Sequence, residues 1–322
     1  MRKITVSAPG KLMLMGEHTV VYGRPCIVTA IDQRLKVTIE LIDESLMILS
    51  TQDIKFSKYQ RSLSEIGKGE VPKEAKFVEF AVYNFLQKYK IPKGVSISTV
   101  SEFSANFGFG SSSAVSVGVT KALSELMQSK LSNKELFDLS YKTVLDVQGV
   151  GSGFDVASAI FGGTIYFQTG GKIIESLSVN DMSLVVGYSG VKADTVSMMN
   201  LVSEKMKNYK EGVEKIFGSI ANLILEAKKA ILEKDWQRLG TLMDFNQNYL
   251  EDLGVSTQKL NQMIVAAKKA GAYGAKLSGA GGGDCMIALV SKKTKSLVEE
   301  AIIKVGGEII DVKIGAEGVK IL

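Results

Sequence analysis

Residues 108–114 read Gly108-Phe-Gly-Ser-Ser-Ser-Ala114, and they stand between an extended segment and a helical one. On the N-terminal side, 95–101 is rich in β-branched residues and reads as a strand. On the C-terminal side, Val115, Val119, Ala122, Leu123 and Leu126 recur at helical spacing. A strand that turns through glycines into a helix leaves the first N–H groups of that helix unpaired and pointing together, which attracts an anion. Gly108 and Gly110 let the backbone turn tightly and come close to a ligand. The hydroxyls of Ser111, Ser112 and Ser113 add donors, one of which can also serve a metal ion. The natural ligand of such a loop is a polyphosphate; a flexible turn with a serine cap is the plainer reading of the same residues. The loop is neither a Walker A loop, since no Gly-Lys-Ser or Gly-Lys-Thr occurs in it, nor a Rossmann fingerprint.

Upstream of this loop, residues 3–8, 27–31 and 35–42 alternate or carry β-branched runs and predict strands, with 46–56 a further hairpin arm. The polar stretch 57–72 reads as loop or weak helix, and 74–89 as a helix with Val78, Ala81, Val82, Phe85 and Leu86 on one face. Downstream, Ser132 and Glu135 form a capping box, with Leu131 and Leu136 placed as a hydrophobic staple, for a helix that runs to glycines at 149–153. Strands at 163–168 and 172–177 flank a Gly170-Gly171 turn. A second unit opens with a strand at 182–188, followed by helices near 194–208, 212–233, 235–249 and 256–270. After glycines at 279–283 come a strand at 285–290, a helix at 294–305 and a strand at 308–314. The chain of 322 residues therefore divides near residue 180 into an α+β unit, 1–180, and a helix-rich unit with a small antiparallel sheet, 181–322. No internal repeat is visible.

Three further constellations can carry chemistry. Gly149-Val-Gly-Ser-Gly-Phe-Asp155 puts a carboxylate just past a glycine and serine turn, where it can orient and deprotonate an attacking hydroxyl; an aspartate so placed is also an ordinary cap. Lys276-Leu-Ser-Gly-Ala-Gly-Gly-Gly-Asp284 groups glycines at an entropic cost that a backbone-lined ligand wall would justify. In Ser7-Ala-Pro-Gly-Lys11, Lys11 follows a Pro-Gly turn at a strand end, from which it could reach a phosphate; beside Asp155 its charge would favour the ionised carboxylate and a developing alkoxide. His18 is the one histidine, and with no histidine or cysteine partner it makes a poor zinc ligand.

Composition narrows the classes. A charged fraction of 23% with 45% hydrophobic residues is that of a globular protein with a real core. A net charge of +5 without a basic tract or interleaved aromatics gives no support to a nucleic-acid partner. No apolar run is long enough for a membrane span, and the start lacks the apolar stretch of a signal peptide. Cys26 and Cys285 have no partner spacing for a metal or redox pair, so both read as buried thiols in a reducing compartment, and the protein as cytoplasmic.

Taken together and in order, these segments resemble the superfamily of galactokinase, homoserine kinase, mevalonate kinase and phosphomevalonate kinase. Ser7 to Gly23 is similar to the opening motif of the mevalonate kinase family, Gly108–Ala114 to the superfamily's phosphate-binding motif with Phe109 for leucine, and Lys276–Cys285 to its third motif with Asp284 for a glycine. The resemblance implies an N-terminal domain of the ribosomal S5 domain-2 type, a ferredoxin-like C-terminal domain, and ATP, Mg2+ and a small substrate meeting between them. It implies in-line phosphorylation of the 5-hydroxyl of mevalonate, with Asp155 as base and Lys11 supporting the reacting oxygen. Gly108, Gly110, Ser111, Ser112 and Ser113 would wrap the ATP phosphates, Ser112 would reach Mg2+, and Gly279, Gly281 and Gly282 would form the third-motif wall. Glu17, His18 and Thr195 match residues near the substrate. Homodimers are common in such a family.

One departure is that Val144 stands where mevalonate kinases carry a magnesium-binding glutamate, with Asp146 two residues along the helix. Gln148–Val156 is similar to the matching segment of phosphomevalonate kinases, which makes phosphomevalonate the second reading of the acceptor, with Lys192 a candidate for its phosphate; other hydroxyl-directed kinases of the superfamily stand beside it. A non-catalytic ligand sensor of the same fold is a third alternative, disfavoured by the presence of both Lys11 and Asp155.

Overall fold

The computed structural model describes residues 2–51, 58–179 and 181–322. In chain order the strands are β1 (Lys3–Met15), β2 (Pro25–Ile42), β3 (Leu46–Thr51), β4 (Tyr59–Ser62), β5 (Gly94–Ser101), β6 (Thr164–Gln168), β7 (Ile173–Leu177), β8 (Ser183–Tyr188), β9 (Gly274–Ser278), β10 (Cys285–Val290), β11 (Glu308–Ile310) and β12 (Lys320–Ile321). The helices are α1 (Lys76–Leu86), α2 (Ser111–Met127), α3 (Asn133–Gln148), α4 (Phe154–Phe161), α5 (Thr195–Asn208), α6 (Lys210–Glu233), α7 (Trp236–Asp252), α8 (Gln258–Lys269) and α9 (Lys295–Lys304).

Two sheets carry the fold. The first runs β12-β1-β2-β5-β3-β4, with β6 also on β2 and β7 on β6. The second is antiparallel in the order β11-β8-β10-β9. Read along the chain, the second unit is strand, helices, two strands, helix, strand, the split βαβ arrangement of ferredoxin-like domains. The architecture is α+β in two units, and one apolar cluster joins them, with Leu12, Ile27 and Phe109 packed with Leu184, Ile224 and Ile287.

Where the fold differs from the pattern in the sequence, a local cause is visible. β1 does not end before a Pro-Gly turn; it continues to Met15, and the pairing with β2 slips between Pro9 and Lys11. Proline has no N–H to give the ladder, so it sits at an irregularity rather than ending the strand. Opposite it, 27–31 and 35–42 merge into the single long β2. The stretch expected as loop or weak helix contains β4, paired with β3, while the part of the 46–56 arm beyond Thr51 lies outside the described residues. α4 and β9 were not apparent from periodicity. α4 is only eight residues long, and β9 is buried throughout despite carrying Lys276. The expected strand at 308–314 stops at Ile310. Beyond it the tail returns to the first sheet, where β12 pairs with β1 and Val319 N–H donates to the Ala159 carbonyl on α4 (2.8 Å).

Candidate active site

The glycine loop and the start of α2 form the floor of the site. Gly108 and Gly110 have φ of 70° and 82°, values that disfavour a side chain. Gly110 is the N-cap of α2 and no side chain caps it, so the first turn presents free N–H groups. The Ser113 Oγ is buried there without a hydrogen-bond partner. The N-cap of α4 is likewise a left-handed glycine, Gly153, with no side-chain cap, and α2 and α4 pack together. Two helix N-termini, whose dipoles favour anions, thus stand side by side.

Lys11 and Asp155 meet at this floor. Lys11 projects from the irregular point of β1; its backbone N–H donates to the Phe109 carbonyl (2.9 Å) and its Nζ to the Gly108 carbonyl (2.7 Å). The ammonium also lies 5.4 Å from the centre of the Phe154 ring. Asp155 is in the first turn of α4. A β-carbon at Gly110 would meet Lys11 Cγ at 3.2 Å and Asp155 Cβ at 3.7 Å, so the bare glycine leaves room where the two side chains converge. Burial lowers the Lys11 pKa, and the negative charges of Asp155, Asp284 and Glu17 pull it back up. The lysine therefore loses its proton more readily than an exposed one, yet stays close to three acids that favour its charge.

The other wall comes from the second unit. Gly279, Gly281 and Gly282 all have positive φ, and a β-carbon at Gly281 would lie 2.1 Å from the Val255 carbonyl. This wall is fastened to β1 and the turn after it. His18 donates from Nε2 to the Ala280 carbonyl (2.8 Å). Ser278 Oγ both donates to the Met13 carbonyl (3.0 Å) and accepts from the Met13 N–H (3.1 Å). Glu17 and Lys276 form an ion pair with both side chains fully buried. Burial pushes the Glu17 carboxyl up and the Lys276 ammonium down, and each opposes the other's shift by its charge.

The structure thus brings Lys11, Gly108, Gly110 and Asp155 together, with Glu17 and His18 one layer behind, against the glycine wall. Thr195 is exposed at the first residue of α5, two positions after Ala193, whose N–H donates to Asp284 Oδ1 (2.8 Å). Sequence reasoning gave no role to Lys276 or Ser278 and treated Asp284 only as a departure from a motif. A lone lysine within the otherwise apolar run Ala275–Leu277 was the available signal, because a buried lysine requires a partner.

For a magnesium ion, the α3 position of interest contributes nothing. Val144 is buried in an apolar cluster with Leu136, Phe137 and Val156. Asp146 accepts from Asn84 Nδ2 (2.9 Å) and pairs with Lys142 (2.6 Å). Among the described residues no group of three acids, histidines or cysteines could hold a metal. The first turn of α2, where the hydroxyls of Ser111 and Ser112 are only half-buried, does fit Mg2+, which binds few protein oxygens and keeps phosphate and water oxygens as its other ligands.

A cleft between an α+β unit and a ferredoxin-like unit, floored by a glycine-serine loop at a helix N-terminus and flanked by a lysine and an aspartate, defines an ATP-dependent small-molecule kinase. Family models match in agreement: the GHMP kinases N terminal domain over residues 76–163, the GHMP kinases C terminal over 227–307, and the galactokinase galactose-binding signature over 2–40. The mevalonate kinase of Thermococcus sibiricus is 37% identical over 330 residues, 99% of this chain and 98% of its own. The crystal structure of the Methanococcus jannaschii mevalonate kinase superposes with a TM-score of 0.83 at 26% identity, covering 97% of this chain and 98% of that one. The Streptococcus pneumoniae phosphomevalonate kinase in complex with phosphomevalonate and AMPPNP has a TM-score of 0.82 at 19% identity over 98% of this chain and all of its own, a likeness of fold alone. The chain belongs to the GHMP kinase family, and mevalonate kinases 37% identical to it match over nearly its whole length. No helix among the described residues is long and apolar enough to cross a membrane.

Proposed function

We propose that this chain transfers the γ-phosphoryl group of ATP to the 5-hydroxyl of mevalonate. The observation that carries the reading is the near full-length identity to mevalonate kinases, joined to the convergence of Lys11 and Asp155 at Gly110. Asp155 orients the acceptor hydroxyl and takes its proton late in the transfer, as the new oxygen–phosphorus bond forms and the bond from the γ-phosphorus to the β–γ bridging oxygen of ATP breaks. Lys11, held by the Gly108 carbonyl, stabilises negative charge on the reacting oxygens from a site largely shielded from water. The free N–H groups of the α2 first turn, with Ser111, Ser112 and Ser113, receive the phosphates. Ser112 would hold Mg2+ together with phosphate oxygens and water, and the ion when bound neutralises phosphate charge. Gly279, Gly281 and Gly282 close the opposite side, Glu17 and His18 hold that wall in place, and Thr195 lies on the acceptor rim.

The Gln148–Val156 segment and the apolar Val144 favour a second reading, with phosphomevalonate as acceptor. The test is a coupled ADP-release assay with Mg2+ and ATP, comparing mevalonate, 5-phosphomevalonate, homoserine and galactose, with product position checked by phosphorus NMR. Turnover of mevalonate to the 5-phosphate is expected. Turnover of 5-phosphomevalonate alone would overturn the first reading in favour of the second.

A further inference from the structure

Asp284 stands where four features of the molecule meet. It lies in the second unit, at the end of the glycine wall, with a φ of 55°, unusual for a residue with a side chain. Only 7% of it is exposed. Its backbone N–H donates to the Val191 carbonyl (2.8 Å), its carbonyl accepts from the Ser189 N–H (2.9 Å), and its Oδ1 accepts from the Ala193 N–H (2.8 Å). The whole turn from Ser189 to Ala193, which leads into α5, is therefore seated on this one residue. Its other carboxylate oxygen faces the first unit: a β-carbon at Gly108 would lie 2.5 Å from Asp284 Oδ2. Gly108 is the residue whose carbonyl holds the Lys11 ammonium. The next residue strengthens the junction, since Cys285 Sγ–H donates to the Phe107 carbonyl (3.4 Å).

A turn that needed only a positive φ would take glycine, as its neighbours do. A buried carboxylate here costs desolvation that no ion pair among the described residues offsets directly. A role for the charge and for the hydrogen bond accounts for that cost. We propose that Asp284 is a positioning residue for phosphoryl transfer, whose carboxylate seats the 189–193 turn and braces Gly108, and through it Lys11, across the cleft between the two units. The inference rests on the kinase reading given above.

The charges around this point are few. Lys11 is faced by Asp155 from α4, Asp284 from the glycine wall, Glu17 from the turn after β1, and the Cys285 thiol, itself driven well above its usual range by burial; Asp284 is faced by Lys11 and Lys192. Removing the Asp284 charge takes away one of three acids that support protonated Lys11, so the lysine should titrate at lower pH.

Two variants separate the parts. Asp284→Asn keeps an acceptor for the Ala193 N–H and tolerates positive φ; Asp284→Gly removes the side chain and relieves the backbone. Wild-type turnover of mevalonate is measured first, then kcat, KM and the pH dependence of kcat/KM for both variants. Titration of the Lys11 ammonium is followed in parallel by side-chain NMR in the absence of substrate. The expected result is a kcat loss of about tenfold to a hundredfold in Asp284→Gly without loss of thermal stability, partial rescue in Asp284→Asn, and a Lys11 titration moved to lower pH in both. An unchanged kcat in Asp284→Gly, or a Lys11 titration that stays where it is in wild type, would overturn the proposal. If wild type does not turn over mevalonate, the substrate reading fails, and the NMR titration alone decides the link between Asp284 and Lys11.

Discussion

His18 shows how a single buried polar side chain ties stability to pH. It is buried, adopts a φ of 60°, and donates its Nε2–H to the Ala280 carbonyl across the cleft. Burial lowers its pKa from 6.5, with the carbonyl pulling weakly the other way. The unfolded chain then takes up a proton before the folded one does. The stabilisation is complete above the unfolded value and is lost as pH falls below it, with a slope of at most about 1.4 kcal/mol per pH unit for one proton. Denaturant unfolding from about pH 7 to about pH 5 should show this slope in wild type and lose that part of it in His18→Asn, whose side chain tolerates the positive φ. An identical slope in both would remove His18 from the account. Legibility at this scale was uneven. Lys11, Asp155 and the glycines could be singled out from residue type and position, with the roles proposed for them supplied by the family resemblance. The partners of Glu17 and His18 could not, because Lys276 and Ala280 lie more than 250 positions away and only the folded chain brings them near.

At the scale of elements, the strongest local signals produced the clearest matches. The capping box at Ser132 and Glu135 is present, with Ser132 Oγ accepting from the Glu135 N–H and Glu135 returning to the Ser132 N–H. Long amphipathic segments such as α6 fold as their periodicity predicts, burying Val213, Phe217, Ile220, Ile224 and Ile231 along one side. The misses were short or irregular. α4 makes little more than two turns and opens on glycines that read as a loop; β9 contains a lysine; β4 is a polar edge strand. In each case tertiary packing outweighs local preference. A capped helix end gives a check on the helix argument. Thr257 caps α8 by accepting from the Leu260 N–H (3.2 Å). Thr257→Ala should cost about 1 kcal/mol in denaturant unfolding, with Thr257→Ser restoring most of the loss. A cost near zero would mean that packing of Leu260, Met263 and Ile264 alone holds this helix end.

Over the whole molecule, the site exists because the two sheets are joined where β1 meets β9, through Met13 and Ser278. β1 supplies Lys11, and the turn after it supplies Glu17 and His18, to a wall built between β9 and β10. The tail returns to clasp β1 and the C-terminal end of α4, so the element bearing Asp155 is held from both the start and the end of the chain. The return of the tail was not visible in the sequence, since β12 is two residues long and follows an irregular stretch. The cleft shared by the glycine motifs, by contrast, was anticipated by the family resemblance that those motifs carry in order. The central claim is that this cleft moves a phosphoryl group from ATP to mevalonate with Asp155 as the proton acceptor. A single-turnover experiment with γ-labelled ATP, Mg2+ and mevalonate, run on wild type and on Asp155→Asn, tests it most directly. The label should appear on the C5 oxygen of mevalonate in wild type and be slowed about 10²- to 10⁴-fold in Asp155→Asn, with ATP binding retained. Equal transfer by the two proteins, or no labelled mevalonate from wild type, would contradict it.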